Sequence, residues 1–149
     1  MTQWLKPIGR ALGLGLAWAV VWAPIAVLVG TTIVDPDNSM DEMWVAAGAY
    51  PAFLSAVVFS ALLATAERGR RLNELSLARA GTWGALAGIL VGVVPFTIGT
   101  PTSSVPLWQL GLAAIGSIGL MSVLSAVGSV LIARMAKTRR LASARANMA

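Results

Sequence analysis

From Ala80 to Ala133 the chain carries no Asp, Glu, Lys, Arg or His. A helix needs about 18 to 20 apolar residues to cross the roughly 30 Å hydrocarbon layer of a bilayer, because each residue rises about 1.5 Å. The run is long enough for two crossings, and TPTSSVP at Thr100 to Pro106 supplies turn residues between them. Two more uncharged runs of spanning length precede it, Ala11 to Ile33 and Met43 to Ala66. The expected fold class is therefore all-α: an integral membrane bundle of four transmembrane helices at about 11–33, 43–66, 80–99 and 107–133, in a single domain over residues 1–149. Residues 134–149 form a short basic tail, poor in apolar residues after Leu141 and expected to fray.

Composition agrees with lipid as the solvent. Apolar residues make up 57% and charged residues 11%, whereas about a quarter of the residues of a soluble domain are charged. In water such a chain would present large contiguous apolar patches. Cysteine and histidine are absent, which removes disulfides, thiolate and imidazole metal sites and histidine acid–base chemistry.

Charge placement orients the spans, since basic residues flank their cytoplasmic ends. Lys6 and Arg10 precede the first span, Arg68, Arg70, Arg71 and Arg79 separate the second from the third, and Arg134, Lys137, Arg139, Arg140 and Arg145 follow the fourth. All eleven basic residues thus fall on one side, while Asp35, Asp37, Asp41, Glu42 and the 100–106 turn fall on the other. Both termini are expected in the cytoplasm, in a multi-pass protein of a bacterial inner (plasma) membrane. The N-terminus also has the form of a signal peptide, but its uncharged run outlasts the roughly 7 to 15 residues of an h-region, so helix 1 is expected to be retained. Trp4 and Trp83 fall near the inner boundary and Trp44 and Trp108 near the outer one, where an indole N–H sits among headgroups. The layout is similar to that of small bacterial inner-membrane proteins in general, a likeness that carries no diagnostic motif and no function.

The acidic loop DPDNSMDE invites a cation-site reading, because Asp35, Asp37, Ser39 and Asp41 alternate like the first ligands of an EF-hand. The sixth position is Met40 where glycine is needed, and the twelfth is Ala46 where glutamate is needed. A capping reading uses more of the residues: Asp35-Pro36 turns the chain, and Ser39-x-x-Glu42 has the capping-box pattern ahead of an apolar helix. No metal ion and no cofactor is expected.

No ionisable residue lies inside a predicted span, which argues against a proton relay or coupled ion path. The small four-helix multidrug transporters depend on an embedded carboxylate, and the chain departs from them there. Without His, Cys or a buried carboxylate, no nucleophile, base and orienting group can be assembled, so an enzyme is not expected.

Small residues recur instead at helix-packing intervals. Helix 3 carries Gly84, Gly88 and Gly92; helix 2 carries Gly48, Ala52, Ala56, Ser60 and Ala64; helix 1 opens with Gly9, Gly13 and Ala17; helix 4 carries Gly116, Gly119, Ser122, Ala126, Ser129 and Ala133. Such stripes let helices approach closely where lipid removes the hydrophobic drive between them. Val91, off the glycine stripe of helix 3, is expected to face lipid. Pro24, Pro51 and Pro95 each lie in the outward half of a span, where kinks at similar depth would open a shallow outward cavity. Trp18 and Trp22 sit one turn apart near the middle of helix 1, placed to fill gaps left by facing glycines or to contact a lipid, quinone or pigment. Tyr50 is the other deep polar ring and a candidate contact for the same ligand.

On the basic side, Leu72, Leu75 and Leu77 alternate with charges between helices 2 and 3, as in an interfacial turn with leucines toward acyl chains. Arg68, Arg70, Arg71, Arg139 and Arg140 are the expected contacts for anionic headgroups. No aromatic platform or folded basic module points to nucleic acid. The expected function is that of a non-catalytic structural or accessory subunit, joining a homo-oligomer or membrane complex through small-residue faces. A small transporter or channel for an apolar or neutral solute is the alternative.

Overall fold

The computed structural model describes residues 5–37, 41–67, 72–99 and 106–146. They form an all-helical fold: α1 (Leu5–Val29) continued by a π-helical turn (Gly30–Val34), then α2 (Asp41–Ala66), a 3-10 turn (Leu72–Glu74), α3 (Leu77–Ile98) and α4 (Leu107–Ala146). All four α-helices are long and apolar enough to cross a membrane. Ser39, Arg68, Arg70, Arg71 and the 100–105 part of the turn lie outside the described residues, as do the side chains of Asp41 and Glu42.

Local chemistry moves the helix ends beyond the uncharged runs. The α3 helix starts at Leu77 because Ser76 has extended backbone and its Oγ accepts from the Arg79 N–H at 3.2 Å, an N-cap. The basic tail does not fray after Ala133, as its composition suggested. It stays helical to Ala146, since residues 134–146 contain no Gly or Pro and are rich in Ala and Arg, which favour helix. At about 1.5 Å per residue, this extension carries α4 roughly 20 Å past its apolar part. At the other end of α1, the Asp35 N–H reaches Gly30 O at 2.7 Å, closing the π turn, while Thr31 Oγ1 donates to Val27 O at 2.8 Å.

The helices pair as two hairpins, α1 with α2 and α3 with α4, joined through α2 and α3. Glycine makes the second hairpin possible. A Cβ on Gly84 would lie 2.8 Å from Ser122 O, one on Gly88 2.7 Å from Gly119 Cα, and one on Gly92 3.0 Å from Ile115 Cα. In the first hairpin a Cβ on Gly48 would lie 2.6 Å from Trp22 O, and the rings of Phe53 and Trp44 occupy the space beside Gly15 and Gly30. Where the hairpins meet, Trp18, Ala52, Ala56, Phe59, Ala87, Met121 and Ala126 form the core, with the Trp18 and Phe59 rings 5.6 Å apart.

Two expected outward residues are buried. Val91 is only 8% exposed, because the packed face of α3 follows Ala80, Gly84, Ala87, Gly88, Val91 and Gly92 at helical three-and-four spacing and is wider than its glycines. Leu75 is 2% exposed and packs with Ala80 and Val130. The Arg134 guanidinium donates to Leu75 O, so α4 holds this turn against the bundle and keeps the leucine inward.

Candidate functional site

The α1 and α4 helices face one another across a gap that their backbones do not close. Two indoles bridge it. Trp18 Nε1 donates to Ser129 Oγ at 3.1 Å, and one turn further along Trp22 Nε1 donates to Ser125 Oγ at 2.7 Å. Because the helices are antiparallel, a Trp-x-x-x-Trp spacing on one meets a Ser-x-x-x-Ser spacing on the other. Each serine also donates its own proton one turn back, Ser125 to Met121 O and Ser129 to Ser125 O, both at 2.8 Å. Every N–H and O–H of the two pairs is therefore engaged.

The bridged gap is an open groove of about 520 Å³. Leu14, Ala17 and Val21 of α1 and Leu124, Gly128 and Ile132 of α4 line it above the indoles, and Leu72, Ala133 and Ala136 continue it toward the basic end of the bundle. No charged residue lines it. One turn beyond its end, the same stripes reach Arg10 on α1 and Arg139 and Arg140 on α4, all exposed.

A second open groove, of about 700 Å³, lies between α3 and α4 at the other end, against Ala85, Ile89, Trp108, Leu112, Ile115 and Gly116. Neither groove is lined by Pro24, Pro51 or Pro95, so the outward cavity expected at the prolines is not what these grooves are. The prolines lie within helices that continue on both sides of them.

At the basic end Glu67, its side chain 11% exposed, lies 3.7 Å from Arg79 Nη1 and accepts a long hydrogen bond from Trp83 Nε1 at 3.5 Å. Trp83 thus turns its N–H to a carboxylate. Trp44 turns its ring onto Gly30, and its Nε1 is buried without a hydrogen-bond partner, as are Ser55 Oγ and Ser122 Oγ. No group of three or more acidic residues that would hold a metal ion occurs among the described residues.

The stripe residues divide. Gly84, Gly88, Gly92, Gly48, Ala52, Ala56 and Ser122 are buried, and Ser60 and Gly119 are half-buried. Gly116 is exposed, as are Gly9, Gly13 and Ala17, and a Cβ on Gly9, Gly13 or Gly116 meets nothing within 4 Å. Trp18 is 4% exposed, while Tyr50 is 70% exposed and lines neither groove. Both indoles donate to serines of α4, and Gly128, between those serines, lines the same groove. Ser125 was the missing part of the pattern, readable as the residue four before Ser129. No protein-family model, curated protein or solved structure matches this chain.

Proposed function

We propose that the chain is a non-catalytic, multi-pass protein of a bacterial inner membrane, with both termini cytoplasmic, and that it serves as a structural or accessory subunit by packing α1 against another membrane helix. The observation that carries this is the open face of α1. Only 11% of its apolar span is buried, against 22 to 28% for the other three, and Gly9, Gly13, Leu16 and Val20 are exposed along one side of it. Small residues at that spacing admit a helix at close range. The stripes of α2 and α3 are largely used up inside the bundle, which leaves α1 to meet a second copy or a different subunit. The orientation rests on the basic residues, which lie at one end of the four spans.

The chain has no cysteine, so a single Gly13→Cys gives crosslinking in native membranes without background. A crosslinked dimer, or one adduct of constant mass, is expected. Crosslinking no greater than at Ile98→Cys, an exposed site on another helix, would leave α1 facing lipid alone and remove the proposal.

A further inference from the structure

We infer that the groove between α1 and α4 seats one acyl chain of an anionic phospholipid from the leaflet on the basic side, with Arg10, Arg139 and Arg140 around its headgroup. The inference rests on the membrane placement and orientation proposed above.

Dimensions select the occupant first. From Leu124 to Ala136 the groove follows α4 for about 18 Å, close to one leaflet's half of the roughly 30 Å hydrocarbon layer. A volume of about 520 Å³ over that length gives a cross-section of about 29 Å², on the scale of a single extended hydrocarbon chain. A hydrocarbon chain fits the groove.

Hydrogen bonding selects next. The N–H groups of Trp18 and Trp22 are taken by Ser129 and Ser125, whose own protons are taken by backbone carbonyls. The groove therefore offers no free donor, and a polar solute entering it would lose bonds to water without replacement. An acyl chain has none to lose. The indole–serine pairs span the groove between helices that do not otherwise touch closely.

Charge selects the headgroup. Both walls end in arginine one turn beyond their last apolar residue, Arg10 on one side and Arg139 with Arg140 on the other, and all three are exposed. Because α4 remains helical through this region, its two arginines are held on the groove's side of the helix. Each basic residue near a headgroup favours an anionic over a neutral lipid by about fivefold.

The test uses the two indoles as reporters. With Trp4→Phe, Trp44→Phe, Trp83→Phe and Trp108→Phe introduced together, only Trp18 and Trp22 fluoresce. Reconstituted in phosphatidylcholine vesicles, this protein should be quenched several-fold more strongly by a small fraction of phosphatidylglycerol with brominated acyl chains than by the same fraction of brominated phosphatidylcholine. Arg10→Gln, Arg139→Gln and Arg140→Gln together should abolish that preference and leave quenching by phosphatidylcholine unchanged. Gly128→Leu, at a position where a Cβ meets nothing within 4 Å, should fill the groove and lower quenching by both lipids. In the protein with all its tryptophans, one retained phosphatidylglycerol per chain after mild extraction, lost in Gly128→Leu, is the matching result by mass. Equal quenching by the two lipids, or a preference that survives the three glutamines, overturns the inference. A bilayer made wholly of brominated phosphatidylcholine that fails to quench would instead sink the membrane placement, and the inference with it.

Discussion

Gly88 and Gly119 meet backbone to backbone: a Cβ on Gly88 would lie 2.7 Å from the Gly119 Cα, and 2.8 Å from Ser122 Oγ. No side chain at position 88 can be accommodated by a rotamer change alone, because the nearest atoms belong to the facing main chain. Gly88→Ile is therefore expected to push α3 from α4 and destabilise the fold by at least the ~1–3 kcal/mol typical of overpacking. Between membrane helices no hydrophobic term offsets the lost van der Waals contact. Leu90→Ile is the control, since Leu90 is 53% exposed in the same turn and should change stability by less than about 0.5 kcal/mol. Equal thermal unfolding of the two variants would show that close packing of the glycines is not needed.

Gly30 gives a second close approach, here to a ring instead of a backbone. The Trp44 indole stands where a side chain at position 30 would go, so Gly30→Ala should destabilise by about 1–3 kcal/mol. Adding Trp44→Leu should restore most of the loss, because the smaller side chain vacates that space. If the double variant melts no higher than Gly30→Ala, then the π-turn backbone itself, and not the ring, excludes the methyl group.

The division between what could and could not be read in advance follows from the range of each interaction. Spans, their number and their order are carried by unbroken apolar runs such as Ala80 to Ala133, a local property. The buried glycines of α3 were legible because their spacing is also local. Which face of α1 meets a neighbour was not, since Gly9, Gly13 and Ala17, stepping by four, and Gly15, Trp18 and Trp22, stepping by three and four, each lie along one side of a helix, and only the packing of the other helices decides between them. The burial of Leu75 depends on Arg134, 59 residues away, and no periodicity between helices 2 and 3 reports such a contact. The indoles are legible as side chains whose N–H needs a partner, yet their serines lie more than 100 residues later on another helix. The Ser76 cap, by contrast, was present in the sequence as a serine just ahead of an apolar run.

Orientation can be tested apart from packing. In the proposed orientation, reporters inserted at Gly69 and fused after Ala149 should both read cytoplasmic, and one at Asn38 external, because the segments that carry the basic residues would flank the cytoplasmic ends of the spans. Arg68→Glu, Arg70→Glu and Arg71→Glu together should give mixed orientation of the α3–α4 hairpin. If the hairpin keeps a single orientation, helix packing and not charge sets its direction.

The pairing of Trp22 with Ser125 yields an asymmetric prediction, because the two groups are not equally dependent on one another. Ser125 Oγ keeps a carbonyl partner at Met121 whether or not the indole is there, so Trp22→Phe strands no polar group and loses only ring area and one hydrogen bond. Ser125→Ala leaves the Trp22 N–H facing an apolar groove with no acceptor, and an unpaired buried donor costs about 1–3 kcal/mol. A double-mutant cycle in thermal unfolding should give a coupling near the ~0.6 kcal/mol average of membrane-embedded side-chain hydrogen bonds, and not above ~1.7 kcal/mol. The Trp22 emission should also shift to shorter wavelength in Ser125→Ala, as the ring loses its polar partner. Zero coupling with an unshifted emission would mean that the indole and the serine are neighbours without a bond, and that the width of the α1–α4 groove is set by the hairpins alone.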